Sequence, residues 1–318
     1  MNILSIIVTY GNRFHYLEQV VKRLLKEKIA KILIISNGAD EIYKKSIFNL
    51  KKKSKKIKLI ILNKNYGSAF AIKKSLKYAL KSDYKFILLL DDDNLPELGS
   101  LKILKKKYRE YGNSFKNIFS PNRYKLKYYK NLKFKNNAFH FSNNNFIKFN
   151  FLNIIFFFIK NFFFKNSQNK KNNSMQVAPY GGLFFNKEIL KTVGFPQKNF
   201  FLYADDFEFT LRLTRNNFNI YFCKDYLIED LDKTLDENNY FSKTVDERKI
   251  FFQVRNHTHF SRKFITNKFA YYCNMYIFLF YFILRNFLIT SDKIFFFKRL
   301  YLIIKAVRSG DTKRLISY

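Results

Sequence analysis

The sequence predicts an α/β fold built on an open, doubly wound sheet. Three observations carry that expectation. The first 95 residues alternate apolar runs with helical spacings, the runs are near-continuous as in parallel strands covered on both faces, and each ends in a polar or glycine-bearing loop.

Ile3 to Val8 is the first such run, closing on Thr9-Tyr10-Gly11. Leu17, Val20, Val21, Leu24 and Leu25 then recur at helical spacing, and Ile32 to Ile35 gives a second strand that stops at Ser36-Asn37-Gly38. This is a βαβ unit. Ile57 to Leu62 reads as a third strand and Ala69 to Leu80 as a second helix. Phe86 to Leu90 reads as a fourth strand, which runs directly into Asp91-Asp92-Asp93. Right-handed crossovers place ligands beyond the carboxyl ends of such strands, so Thr9 to Asn12, Ser36 to Asp40 and Asp91 to Asn94 share one edge.

After Ser120-Pro121 the pattern fails. Residues 124–175 are rich in Lys, Asn and Phe, with an apolar stretch from Phe149 to Phe164, and read as an insertion. Either a membrane-contacting excursion or a lid packed on the domain fits it. Regular structure resumes at Val177 to Phe185, turns at Gly194-Phe195-Pro196 and continues in a helix over Tyr203 to Arg215. The expected organisation is a catalytic domain over 1–235, interrupted at 124–175, followed by a helical, basic and aromatic membrane-associating region over 236–318. No internal repeat is visible.

Composition narrows the class. The chain has 318 residues, 47% hydrophobic and 26% charged, enough apolar surface for a packed core and unlike a disordered tail. Its formal charge is +35, with 40 Phe, 22 Tyr and no Trp. An AT-rich coding sequence accounts for part of this, but not for its unevenness. Residues 101–135 carry twelve Lys or Arg against Glu110, and residues from Arg262 onward carry eleven against Asp292 and Asp311. Such fields favour an anionic partner, phospholipid or nucleic acid. Two distant cysteines, Cys223 and Cys273, exclude a disulfide framework and a thiolate metal site and point to a reducing compartment.

Ile3 to Val8 is too short for a signal peptide, so the protein is expected on the cytoplasmic side. The longest uncharged run, Phe269 to Leu284, covers about 24 Å as a helix, short of a roughly 30 Å hydrocarbon core. Flanked by Arg262, Lys263, Lys268, Arg285, Lys298 and Arg299, it reads as an interfacial anchor on the inner face of the cytoplasmic membrane, with an aromatic core helix as the alternative.

Three consecutive carboxylates at the end of a buried strand repel one another unless cations or donors compensate. A divalent Mg²⁺ or Mn²⁺ with a diphosphate ligand resolves this, because such ions take one or two protein carboxylates and fill the rest with phosphate and water. Period-two alternation along a strand turns Asp91 and Asp93 to one side and Asp92 to the other. An acidic cap on a helix beginning near Pro96-Glu97 is the alternative, but one Asp would suffice for that. Asp205-Asp206-Phe207-Glu208 opens another helix, where acids suit the macrodipole and Asp205 with Glu208 fits a variant capping box. A carboxylate fixed there is also placed to act as general base on an acceptor hydroxyl, the role expected of Asp206.

Together, Val8-Thr9-Tyr10 with Asn12-Arg13, Ser36-Asn37-Gly38, Asn65 to Ala69, Leu90 to Asp93, Gly181-Gly182, Phe201 through Arg212 and Arg255-Asn256 resemble the family-2 glycosyltransferases of the GT-A fold. The Asp-Asp-x-Glu form is similar to their bacterial galactofuranosyl- and rhamnosyltransferase branch. The resemblance implies a Rossmann-like mixed sheet and inverting transfer of a sugar from a nucleotide-diphosphate donor, with a divalent metal easing departure of the diphosphate. The carboxylate order and the basic insert and tail together lead to the expectation of a hydroxyl on a lipid-linked or polysaccharide acceptor in cell-surface glycan synthesis. By matched position it assigns Thr9, Tyr10 and Asn37 to the nucleotide base, Asp91 to the ribose or donor, Asp93 to the metal, and Asp92 to an assisting role. Asp206 matches the catalytic base, Asp205 and Glu208 the acceptor side, and Gly181 and Gly182 a strand pair approached by the sugar. Where the family often places a metal-binding His beyond the base, this chain has Glu229 and Asp230, and Asp230 is the candidate third oxygen ligand. His257 and His259 read as structural.

Two other classes compete. A nucleic-acid-binding protein uses Lys, Phe and Tyr to track phosphates and stack bases, but the Asp triplet would repel its ligand. A sugar nucleotidyltransferase also uses an open sheet and a metal, yet no Gly-rich phosphate loop with Lys or Arg follows the first strand.

Overall fold

The computed structural model describes residues 1–126, 129, 139, 141–151, 154, 173–232 and 240–315. The chain forms two compact units, the first comprising 1–140, 172–201 and 205–234, the second 141–171, 202–204 and 235–318. Residues 141–151, expected within the insertion of the first unit, thus belong to the second.

In the first unit, β1 (Ile3–Gly11), β2 (Lys31–Ala39), β3 (Ile57–Leu62) and β4 (Phe86–Asp91) are the expected strands, and α1 (Phe14–Lys26) and α3 (Ser68–Leu80) the expected helices, with α2 (Glu41–Lys52) between β2 and β3. All four strands are parallel, in the order β3-β2-β1-β4. Their side chains are buried on both faces, as in Ile3 to Val8 and Ile32 to Ile35, which explains the unbroken apolar runs. Leu17, Val20, Val21 and Leu24 form the buried stripe of α1. The core continues through Ile47, Leu50, Leu88, Leu90, Leu101, Leu104 and Phe119.

The sheet then turns mixed. The later strands are β5 (Asn94–Pro96), β6 (Asn117–Asn122), β7 (Ser174–Met175), β8 (Phe184–Asn186) and β9 (Asn219–Asp230), with α4 (Ser100–Glu110), α5 (Ile189–Val193) and α6 (Asp205–Arg215). Strand β8 is antiparallel to both β4 and β6, while β6 runs parallel to β9. Of Val177 to Phe185, where regular structure is expected to resume, only Phe184 and Phe185 lie in a strand, β8, and Val177 to Leu183 are loop and turn. Strand β9 serves two ladders. Asn219 to Cys223 pair with β6, three residues bulge, and Ile228 to Asp230 pair antiparallel with β5. That second ladder brings Asp230 opposite Asn94, the residue after the Asp triplet.

The second unit contains α7 (Glu247–Lys263), α8 (Lys268–Ile289) and α9 (Lys293–Gly310). Each starts on a side-chain cap: Asp246 accepts from the N–H groups of Arg248 and Lys249, Asn267 from Ala270, and Asp292 from Phe295. Phe146, Ile250, Val254, Tyr271, Met275, Phe296, Ile303 and Val307 form its core. His257 and His259 lie on α7. His259 is buried against the carbonyl of Thr312 at 3.1 Å, and burial pushes the His257 imidazole down to about 3. The apolar helix is longer than the uncharged run implied. Running through Arg285 to Ile289, its 22 residues span about 33 Å, long and apolar enough by length and composition to cross a membrane. Of the expected insertion, Phe149–Phe164 lies mostly outside the described residues.

Candidate active site

The carboxyl ends of β1 and β4 set the site. Val8 pairs with Asp91, so the loop after β1 and the turn after β4 emerge side by side. Strand β4 ends at Asp91, and Asp92-Asp93 make the turn into β5. The expected alternation therefore does not hold. The Asn94 side chain closes the turn by accepting the Asp91 N–H at 3.0 Å, and Asp92 and Asp93 converge on one cation instead of facing apart.

That cation is Arg13, at the start of α1. Its Nε donates to Asp92 Oδ1 at 2.8 Å, one terminal nitrogen lies 2.9 Å from Asp93 Oδ2, and the other 2.6 Å from Asp232 Oδ2. A second arginine, Arg123, donates from Nε to both Asp230 oxygens at 3.0 Å, and Asn94 Nδ2 donates to the same carboxylate at 2.9 Å. Asp230 does reach the acidic cluster, but its oxygens are engaged by Arg123 and Asn94, so the expected third metal ligand is not presented as one.

Five carboxylates, Asp91, Asp92, Asp93, Asp230 and Asp232, thus gather around two guanidiniums. Burial, then the neighbouring charge of Asp93, pushes Asp91 up to about 7. Asp92 is pushed up to about 6 by burial, opposed by Arg13 and by a hydrogen bond from Thr9. Asp93 is also raised, by burial first and by Asp230. Asp92 Oδ2 is buried without a hydrogen-bond partner. Such an excess of hard oxygen donors fits a small divalent cation that completes its shell with phosphate, using Asp91 and Asp93. Among the described residues no three His, Cys, Asp or Glu side chains form a ready-made metal cage.

The expected base-binding trio separates. Thr9 is 2% exposed and its hydroxyl is spent on Asp92. Asn37, equally buried, donates to Asn65 Oδ1 at 3.0 Å and accepts the Tyr66 N–H at 2.9 Å, so it shapes the loop after β3. Tyr10 alone of the three is exposed, at 43%, with the Arg13 guanidinium 5.4 Å from its ring centroid.

Gly181 and Gly182 form a turn and not a strand pair. A Cβ on Gly181 would stand 2.5 Å from Asn94 Oδ1, and one on Gly182, whose φ is +86°, would overlap Ile228 and Pro121 side chains. Gly181 is thus needed for close approach to the residue that closes the Asp turn, and Gly182 for packing against Ile228 and Pro121 at a left-handed backbone position.

The second acidic group divides likewise. Phe201, Tyr203 and Ala204 all have positive φ, and the chain then enters α6 at Asp205. Asp205 is 3% exposed with Oδ2 unpartnered, and burial, then Asp206, hold its carboxyl well above the usual range. Asp91 is among the charges that raise it, so the strand-end and helix-start acids share one electrostatic neighbourhood. Asp206 is half-buried and accepts the Phe207 N–H at 2.8 Å. Glu208 was expected beside the acceptor. It is fully buried instead, paired with Arg212 at 2.8 Å, and Arg212 also donates to the carbonyls of Val193 and Phe195. It locks α6 to the preceding loop.

Sequence reasoning missed Asn94, Arg123 and Asp232, and it quoted Arg13 without giving it a role. Only the asparagine beside the Asp triplet carried a local signal. The pairing of β5 with β9 that assembles the others is non-local.

A parallel half-sheet extended by antiparallel strands, with acids from two distant segments gathered past its carboxyl edge, is the architecture of a GT-A glycosyltransferase. The chain belongs to glycosyl transferase family 2, whose model matches residues 5–194. No curated protein matches the chain. The mannosyltransferase PcManGT of Pyrobaculum calidifontis, solved with GDP-Man and Mn²⁺, is similar with a TM-score of 0.56 and 10% identity, over 98% of this chain and 76% of that one. GalNAc-T7, solved with UDP, GalNAc and Mn²⁺, is similar with a TM-score of 0.57 and 10% identity, over 83% of this chain. This chain spans 48% of its length. At such identities the likeness is one of fold.

Proposed function

We propose that this glycosyltransferase moves a sugar, with inversion, from a nucleotide-diphosphate donor to a hydroxyl of a lipid-linked or polysaccharide acceptor in cell-surface glycan synthesis. The galactofuranosyl or rhamnosyl branch is the proposed specificity class. The observation that carries the reading is that Asp91 at the end of β4 is among the charges that raise Asp205 at the start of α6, which sets both groups of acids in one field. One group serves a diphosphate and the other an alcohol.

Asp206 is the general base. Half-buried at the first turn of α6, it takes the proton as the acceptor oxygen bonds to the sugar C1 and the C1–O bond to the diphosphate breaks. Burial holds the Asp205 carboxyl well above the usual range, which favours its uncharged form beside that base. Tyr10 offers its exposed ring to the nucleotide base. Asp91 and Asp93 hold a divalent cation, Mg²⁺ or Mn²⁺, which supplies charge neutralisation for the leaving diphosphate.

The protein works as a peripheral protein on the inner face of the cytoplasmic membrane. Phe269, Tyr276, Phe280, Tyr281 and Leu288 of α8 and Ile294, Phe297 and Tyr301 of α9 are exposed, among exposed Arg285, Lys293 and Lys298. The other side of α8 is committed to its own unit. Asn274 is buried, donates to the Asn144 carbonyl at 2.8 Å and accepts the Phe151 N–H at 2.9 Å. A helix half packed on protein and half apolar to its surroundings, with basic neighbours, suits lying on an anionic bilayer.

Asp206→Asn is expected to lower donor-dependent sugar transfer by about 10²- to 10⁴-fold while leaving donor affinity unchanged. Full transfer by that variant removes the proposal.

A further inference from the structure

The two arginines of the acidic centre are bound in different ways. Arg123 gives its fork to one carboxylate, that of the buried Asp230. Arg13 divides itself. Each of its nitrogens serves a different acid, Asp92, Asp93 or Asp232, and none of the three contacts is the two-pronged pairing that makes an arginine–carboxylate bond strongest. Giving up one acid costs Arg13 one bond and leaves two tethers. Its position is fixed besides by the rings of Tyr10 and Tyr16, with centroids 5.4 and 5.0 Å away.

Geometry says which acid is given up. Five carboxylates share two guanidiniums, and Asp93 is at once a partner of Arg13 and one of the two oxygen donors suited to a divalent cation. A divalent ion and a guanidinium repel each other at one carboxylate oxygen, and the other Asp93 oxygen, Oδ1, already accepts from Asn94 Nδ2 at 3.3 Å. A planar guanidinium released from that oxygen matches the paired oxygens of a phosphate.

Resting on the metal-dependent reading above, we infer that Arg13 is a placeholder cation. In the metal-free protein it neutralises Asp93. On donor loading it cedes Asp93 to the divalent cation and turns its fork to the donor diphosphate, still tethered by Asp92 and Asp232. It is a donor-binding residue whose resting position keeps the acidic turn assembled.

The test uses the full chain and an arginine-selective reagent, phenylglyoxal, with modified peptides mapped by mass spectrometry. Bound Mn²⁺ is counted in parallel by electron paramagnetic resonance, alone and with GDP or UDP. Labelling of Arg13 is expected to rise several-fold with Mn²⁺ alone and to fall below that level when the nucleoside diphosphate is added, while Arg123 stays constant. Mn²⁺ binding with no change at Arg13 overturns the inference and leaves the metal reading standing. No Mn²⁺ binding under either condition overturns both. In Arg13→Gln, Mn²⁺ alone is expected to bind about tenfold tighter and the nucleoside diphosphate with Mn²⁺ about tenfold weaker. A damaged fold weakens both, so opposite signs support the placeholder role and parallel losses in a variant that melts normally refute it.

Discussion

Asp91→Asn is expected to make the metal-free protein more stable and the enzyme inactive. Asp91 is raised from an ordinary value of 3.8 to about 7, mainly by burial and secondly by Asp93. Between pH 4 and 7 the folded chain therefore keeps a proton that the unfolded chain has lost. The unfolded state binds fewer protons, so unfolding free energy falls as pH rises through that window and levels off above it. Roughly three pKa units at about 1.36 kcal/mol each put the full cost near 4 kcal/mol above pH 7. Asparagine has the same shape and no charge, and Asp91 makes no arginine hydrogen bond that the change would break. Urea unfolding of both proteins in a chelator, from pH 4 to 8, measures the difference. The variant should match wild type near pH 4 and gain up to about 4 kcal/mol at pH 8. A variant equal to or weaker than wild type at pH 8 refutes the reasoning. Adding Mn²⁺ with a nucleoside diphosphate should raise the stability of wild type and not of the variant.

Gly182→Ala places a methyl group on Ile228 and Pro121 at a left-handed backbone position, and a loss of about 2–4 kcal/mol in unfolding experiments is expected. Glu208→Gln removes the buried charge that holds Arg212, with an expected loss of about 3 kcal/mol and no shift in donor affinity by calorimetry. Phe280→Glu with Leu288→Glu, both exposed on α8, should reduce partition onto anionic vesicles at least about tenfold in flotation assays while sugar transfer to a soluble acceptor persists.

The parallel half of the sheet was legible because each strand and helix declares itself within a few residues. Ile3 to Val8 is buried on both faces, and Leu17, Val20, Val21 and Leu24 make one stripe. The antiparallel half was not. Strands of two or three residues such as β7 and β8 have no period to read, and the β5–β9 ladder joins segments more than a hundred residues apart. Acidic clusters could be found as clusters, but their partners could not. Asp92 and Asp93 were read as alternating strand residues because nothing local says that Asn94 will fold back on the Asp91 amide. Glu208 was assigned to the acceptor, although Arg212 four residues on was a visible sign of an ion pair along the helix. The uncharged run 269–284 implies too short a helix because it stops at Arg285, whereas a long side chain near a terminus reaches out without interrupting the helix.

The bulge over residues 224–226 of β9 separates two jobs done by one strand. Before it the strand pairs with β6 from Asn219 to Cys223; after it Leu227 keeps one pairing with Asn122 and the strand carries Asp230 to Asn94. Because the slack lies between them, a change that slides the sheet-bound portion is absorbed before it reaches the acids, and a descendant sequence is free to remodel one without retuning the other. A deletion that closes the bulge removes that freedom, and makes every later substitution under the sheet a substitution in the chemistry.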